Sequence, residues 1–266
     1  MQITFIGAGK MATAIVRGVL SAQVHTPKEI SAVDPSAEAR STFSGQTGVA
    51  ARDYDDVRID KADVIVLAMK PQQMGEAAAR LPAIREDQLV VSIAAGVSLS
   101  RLAEYVQTHR IVRVMPNTPM GIGRGSIAFS ADSDVTEDDK AWVRKVFGPV
   151  GLVREVPESM MDAVTAVSGS GPAYVFEFIR ALGEAGADQG LPRELSDELA
   201  VQTVLGAAQM VKQGEGTPEQ LRNNVTSKGG TTAEGLSVLA EHDLEGLLKK
   251  TVHAAKTRSE ELGRQS

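Results

Sequence analysis

Four short apolar runs mark the first half of the chain: Ile3–Ile6, Val64–Leu67, Leu89–Ile93 and Ile111–Met115. Each is largely β-branched or leucine, and the apolar character is continuous rather than alternating. That is the pattern of strands covered on both faces, as in a parallel sheet. Helical periodicity fills the intervals, over Lys10–Leu20, Pro35–Phe43, Gln72–Leu81 and Ser98–Val106. Strand and helix in alternation predict a doubly wound α/β domain. A further strand pair is expected at Ser126–Ser130 and Leu152–Val156, on either side of a helix that begins near Thr136.

Beyond about residue 158 the period changes. Val175, Phe178, Ile179 and Leu182 follow i, i+3, i+4, i+7 spacing, as do Val201, Val204, Leu205, Ala208 and Val211, and later Leu244, Leu247, Leu248, Thr251, Val252 and Ala255. Pro172, Pro192 and Pro218 fall where helix starts would put them. No strand signal of comparable strength follows. The expectation is an α/β domain over residues 1–158 and an all-α domain over 159–266. The many Ala and Gly residues of the second half suit close helix packing, including packing between subunits.

Composition narrows the chemistry. A net charge of −6 with no Lys/Arg cluster argues against a nucleic-acid partner. The absence of cysteine removes disulfides, thiolate metal sites and a cysteine nucleophile together. The four histidines, His25, His109, His242 and His253, are scattered, so no metal is expected. Asp132, Asp134, Asp138 and Asp139 resemble a calcium loop only superficially, because Glu137 stands where the central glycine belongs. Met1-Gln2 runs straight into the first strand and no 18-residue apolar run occurs. No signal peptide, no membrane contact and a cytoplasmic location are therefore expected, with the Asn224-Val225-Thr226 sequon unglycosylated.

The strongest motif is Gly7-Ala8-Gly9-Lys10-Met11-Ala12, a G-x-G-x-x-A that leaves the first strand and opens a helix. In that context it is the pyrophosphate turn of a Rossmann-type dinucleotide site. Gly7 permits the tight turn, Gly9 the close approach of an anion, and Ala12 the packing of helix on strand. Asp34 closes the second strand where an acidic residue meets the adenosine ribose, which favours NADH; Ser36 and Arg40 follow closely and are able to hold the 2′-phosphate of NADPH. The alternative for Asp34 is a helix cap ahead of Pro35. Ala68-Met69-Lys70-Pro71 and Ala94-Ala95-Gly96 lie at carboxyl ends of strands and form the expected walls of the cofactor cleft, with Lys70 either a phosphate partner or a solvated loop lysine.

Three further segments carry a resemblance: Met115-Pro116-Asn117-Thr118-Pro119, Ser168-Gly169-Ser170-Gly171-Pro172-Ala173-Tyr174 and Ser227-Lys228-Gly229-Gly230-Thr231-Thr232. With Gly7–Ala12 and the Lys70-Pro71 loop, the chain resembles the pyrroline-5-carboxylate reductases along essentially its whole length. The resemblance implies NADPH- or NADH-dependent reduction of a small cyclic imine to proline, and a helical domain that interlocks with a second copy into a homodimer, in many members assembled further into a homodecamer. It implies that the Thr232 hydroxyl meets the substrate ring nitrogen. Ser227, Gly229, Gly230 and Thr231 would then gather the substrate carboxylate at a helix start, Ser170 would begin another helix as its N-cap, and Asn117 would lie near the nicotinamide. Helix capping or turn formation alone would also account for these segments. The chain departs from the family pattern at Lys228, where proline is common. It departs again at Asp53-Tyr54-Asp55-Asp56, where members often carry an asparagine that holds the 2′-phosphate.

Other readings are weaker. A β-hydroxyacid dehydrogenase would use a lysine on the first long helix of the second domain, whereas Ala173–Arg180 contains none. A serine hydrolase would need G-x-S-x-G after a strand, and Ser168 and Pro172 occupy its outer glycine positions. A non-catalytic protein that binds a dinucleotide as a redox sensor is disfavoured only by the second-half motifs.

Overall fold

The protein is described by a computed structural model over residues 1–54 and 59–265; the expectation for Asp55 and Asp56 lies outside the described residues. Eight strands form one sheet: β1 (Ile3–Ile6), β2 (Ile30–Val33), β3 (Ala51–Arg52), β4 (Val64–Leu67), β5 (Leu89–Ser92), β6 (Ile111–Met115), β7 (Gly125–Ala131) and β8 (Gly151–Glu155). Their order is β3-β2-β1-β4-β5-β6-β7-β8, and every neighbouring pair is parallel except β6 with β7. The doubly wound, Rossmann-type reading is therefore correct. The chain first builds outward from β1 through β2 and β3, then returns to add β4 on the other side. That reversal opens a crevice at the carboxyl ends of β1, β2 and β4, where open α/β sheets bind ligands.

The helices of this part are α1 (Lys10–Ser21), α2 (Ala37–Thr47), α3 (Met74–Ala79), α4 (Leu99–Val106) and α5 (Glu137–Phe147). All residues of β1, β4, β5 and β6 are buried. Successive side chains feed opposite faces. On one face Phe5, Val66, Val91 and Val114 pack with Ile15 and Val16 of α1, Phe43 of α2 and Phe147 of α5. On the other, Ile65, Leu67 and Val90 pack with Met74 of α3 and Leu102 of α4. Full burial of each aliphatic side chain contributes about 1.5–3 kcal/mol, which is what holds strands of only four residues.

The remaining helices are α6 (Met161–Val164), α7 (Gly171–Asp188), α8 (Arg193–Gln213), α9 (Pro218–Asn224), α10 (Thr231–Glu241) and α11 (Leu244–Gln265), with no strand after β8 among the described residues. Two compact units result. One is Met1–Ser170 together with the chain from Ala254 onward; the other is Gly171–His253. This division differs from a single cut at 158, and side-chain packing explains why. Met161 is fully buried and joins Met115 and Ala128 in a small cluster, so α6 belongs with the sheet. The end of α11 also returns to the sheet unit. Its Ser259 hydroxyl donates to Asp162 at 2.7 Å, and Gly263 sits so close to the Gly96 carbonyl that a side chain there would overlap it. Beside this contact, buried Arg113 of β6 pairs with Glu158 at 2.7 Å, and Glu158 also accepts the Leu99 N–H at the start of α4.

Candidate active site

Gly7 stands at the point where the sheet reverses. Its φ of +107° lies in the region that glycine alone enters freely, and its N–H donates to the Val33 carbonyl at 2.7 Å. A Cβ here would lie 2.7 Å from the Ala68 carbonyl oxygen, so glycine is required by space as well as by conformation. At Gly9 the situation is the opposite. Its φ of −76° is ordinary, and a Cβ would meet nothing within 4 Å. The space over Gly9 is open, as a turn that receives an anion requires.

Helix termini reinforce this. The starts of α2, α4, α5 and α9 are capped by the side chains of Ser36, Ser98, Thr136 and Thr217. α1 starts at Gly9 with no side-chain cap, and α10 starts at Gly230 in the same way. Each presents the unpaired first-turn N–H groups and the positive end of the helix dipole, which together favour a negatively charged ligand. Lys10 and Met11 contribute to the first of these through their backbone; the Met11 side chain packs on the core.

Asp34 follows β2 and is half-buried. One carboxylate oxygen accepts the Ala8 N–H at 2.9 Å and the other the Ser36 N–H at 2.9 Å. Asp34 thus ties the glycine turn to the end of β2, while the helix cap itself is Ser36, whose hydroxyl accepts the Ala39 N–H. Arg40 donates to the carbonyls of Asp34 and Pro35 and to the Asp53 carboxylate at 3.0 Å. The two residues read as possible 2′-phosphate partners are thus engaged in local structure.

Gly7, Gly9, Asp34, Ala68 and Lys70 come together around one cleft of about 260 Å³. Lys70 is exposed, makes no ion pair among the described residues, and directly precedes the single 3₁₀ turn begun by Pro71. Sequence reasoning gave no site role to Tyr54 and Arg80, which line the same cleft with the guanidinium over the tyrosine ring at 4.4 Å from its centroid. Burial, and after it the negative charge of Asp34, push the Tyr54 phenol above its ordinary range, so the ring stays neutral near pH 7. Their signal in the sequence was weak, since an isolated Tyr and an Arg 26 residues later share no pattern. Ala95 is half-buried, whereas Gly96 lies beneath the end of α11.

One expectation needs correction. Ser170 is not an N-cap. It has helical backbone angles, and its N–H donates to the Thr165 carbonyl at 2.9 Å, because the helical path already began at Met161 and passes through a π-turn at Thr165–Gly169. Pro172 is the second residue of α7 and Pro218 the first of α9, both in a first turn as expected, whereas Pro192 is the residue before α8. Asn117 stands at the head of the turn over Thr118–Ile122. It is buried, with its amide nitrogen donating to the Ser168 carbonyl at 2.9 Å and its oxygen accepting the Ser126 N–H at 2.8 Å.

In the other unit, Ser227, Gly229, Gly230, Thr231 and Thr232 form one turn and helix start. Gly230 donates to the Ser227 carbonyl at 3.0 Å, Gly229 has φ +71°, and Thr232 is the second residue of α10. Lys228 is exposed on this turn. Among the described residues there is no cluster of three or more His, Asp or Glu able to hold a metal, and no helix long and apolar enough to cross a membrane.

Comparison with known proteins adds to this picture. Residues 158–262 match a family model described as pyrroline-5-carboxylate reductase dimerisation, and residues 2–96 match one described as NADP oxidoreductase, coenzyme F420-dependent. The chain is 40% identical to a pyrroline-5-carboxylate reductase of Synechocystis sp. over 99% of both chains, and 41% identical to one of Arabidopsis thaliana over 98% of this chain and 95% of that protein. Among solved structures, a Plasmodium falciparum pyrroline carboxylate reductase with NADP bound aligns at a TM-score of 0.89 with 33% identity, covering 99% of this chain and 98% of that one. A pyrroline-5-carboxylate reductase of Coxiella burnetii aligns at 0.88 with 37% identity over 98% of each chain.

Proposed function

Since the chain belongs to the pyrroline-5-carboxylate reductase family, we propose that it reduces 1-pyrroline-5-carboxylate to L-proline with NADPH or NADH, the last step of proline biosynthesis. The observation that carries this reading is the uncapped start of α1 beneath the open space at Gly9, joined to the Gly7 turn at the sheet reversal. A nicotinamide dinucleotide supplies the hydride when it is bound. The first-turn N–H groups from Gly9 onward would hold its pyrophosphate, Asp34 its adenosine ribose, and Lys70 a phosphate oxygen.

The substrate is an anion with a polarised C=N bond. At the start of α10 the Gly229 and Thr231 N–H groups, with the Ser227 hydroxyl, suit its carboxylate, while Gly230 closes the turn through its own bond to the Ser227 carbonyl. A threonine hydroxyl both donates and accepts. Thr232 is therefore able to accept from a protonated ring nitrogen and to donate to the neutral amine product, holding the nitrogen while its charge changes. An iminium is electrophilic without a strong acid beside it, which agrees with the lack of a lysine on Ala173–Arg180. We assign Ser170 to the substrate side as well. Thr232 would be contributed by the same chain or by its neighbour in a homodimer; a homodecamer is a further expectation of the family.

Loss of nicotinamide absorbance on adding 1-pyrroline-5-carboxylate tests the assignment. No turnover with either cofactor would leave a dinucleotide-binding sensor as the better reading. The same assay resolves cofactor choice. Asp34 repels a 2′-phosphate, and Arg40 is already paired with Asp53, so kcat/KM with NADH should equal or exceed that with NADPH. A strong NADPH preference would overturn the charge argument. Thr232→Ala should leave nucleotide binding intact and lower kcat/KM by about 1–3 kcal/mol, the loss of one hydrogen bond in a desolvated site. Unchanged kinetics would remove Thr232 from the mechanism.

A further inference from the structure

We infer that Asn117 is a positioning residue for the substrate side of the site, and that its carboxamide replaces a backbone donor that Pro172 takes away. The inference rests on the assignment of Ser170 to the substrate. In an uninterrupted α-helix the N–H of residue 172 bonds the carbonyl of residue 168. Proline has no N–H, so the Ser168 carbonyl loses that partner. That carbonyl lies in a part-buried setting, where a group withdrawn from water without a partner is costly. The Asn117 amide nitrogen fills the gap at 2.9 Å, from a side chain that is only 7% exposed.

The other end of the carboxamide is equally committed. Its oxygen accepts the Ser126 N–H at 2.8 Å where β7 begins. One end must donate and the other must accept, so among side chains of this size only an amide satisfies both partners. Met115, two residues earlier, presses its terminal methyl against Gly169 where any side chain would overlap it. The π-turn is thereby pinned to the β6–β7 end of the sheet at two successive residues. Turns of this type are rare and recur at functional sites. Here the turn carries Ser170, whose N–H reaches back five residues to Thr165. The glycine turn of the nucleotide site lies on β1 and β2 instead, held by Val33 and Asp34. Loosening the π-turn should therefore disturb the substrate and spare the nucleotide.

The test uses N117A, N117D, P172A and the double variant N117A/P172A in the full chain. N117A should raise KM for 1-pyrroline-5-carboxylate roughly tenfold and leave the NADH dissociation constant within about twofold. N117D keeps the shape but turns an oxygen toward the Ser168 carbonyl, and should be no better than N117A. P172A restores an N–H at the missing position. N117A should lower Tm by about 2–6 °C in the proline background, and by clearly less when Pro172 is also replaced, a non-additivity that a mere packing role would not produce. If N117A alone fails to fold, recovery of folded protein in the double variant is the same result in stronger form. A tenfold weakening of NADH binding would make Asn117 a cofactor ligand and overturn the inference, as would strictly additive Tm losses. A wild-type chain that turns over no 1-pyrroline-5-carboxylate sinks the substrate assignment, whereas additive losses in an active enzyme sink only the brace.

Discussion

Gly9→Ala should fold as the wild type does and lose nearly all affinity for the dinucleotide, while Gly7→Ala should lose both. The two glycines lie two residues apart in one motif, yet they are glycine for different reasons. A methyl group on Gly9 meets no protein atom within 4 Å and adopts a permitted backbone, so the folded state carries no penalty. It does fill the space that a pyrophosphate would occupy against the first-turn N–H groups of α1. Displacing charge-assisted hydrogen bonds worth about 1.5–3 kcal/mol each should weaken NADH binding by about two orders of magnitude, measured by titration of nicotinamide fluorescence. At Gly7 a methyl group would lie 2.7 Å from the Ala68 carbonyl and hold φ near +107°, a conformation costing a non-glycine residue about 1–3 kcal/mol. Its Tm should fall together with its affinity. Wild-type nucleotide binding by Gly9→Ala would displace the pyrophosphate from this turn and with it the functional assignment.

The second large effect concerns the helical unit. Val175, Phe178 and Leu182 of α7 are 44%, 52% and 39% exposed, and Val201 and Leu205 of α8 are 49% and 48% exposed. These are the positions whose spacing marked amphipathic helices in the sequence, and within one chain much of that stripe faces outward. An apolar surface of this extent is the mark of an interface, and the family model matching residues 158–262 carries dimerisation in its description. Phe178→Glu should therefore convert the proposed homodimer into monomer or aggregate, read by light scattering across a dilution series. In a two-fold interface each substitution counts twice. Two lost phenylalanines at about 2–3 kcal/mol each weaken the dimer by roughly three to four orders of magnitude, before the burial of two carboxylates is considered. A variant that stays dimeric at nanomolar concentration would place the interface elsewhere.

The sheet was legible because its central strands are buried on both faces and are written as predominantly apolar runs, with Arg113 the charged exception in β6; β4 and β6 begin and end where those runs do. β3 was invisible, since Ala51-Arg52 is two residues long at the sheet edge and carries no period. Helix ends followed local chemistry only in part. α2 runs on to Thr47 because Gly48 supplies a left-handed stop, whereas the apolar pattern fades at Phe43. α3 gives its first turn to a tighter 3₁₀ geometry behind Pro71. Within the site, the glycine turn was legible because its requirement is local. Ser170 misled for the converse reason: Ser-Gly-Pro is a sound helix start by itself, but the donor that lets the helix continue across Pro172 comes from Asn117, 51 residues upstream of Ser168. Hydrogen bonds between distant segments leave no trace in local preference.

The contact of Gly263 with the Gly96 loop sets the order in which the protein can be completed as it is made. The sheet, its crevice and the glycine turn are all encoded before Ser170, but the segment that closes over Gly96 is translated only after the entire helical unit. A growing chain thus exposes an unfinished nucleotide-binding half throughout synthesis of residues 171–253, the period in which uncovered apolar surface most needs protection from aggregation.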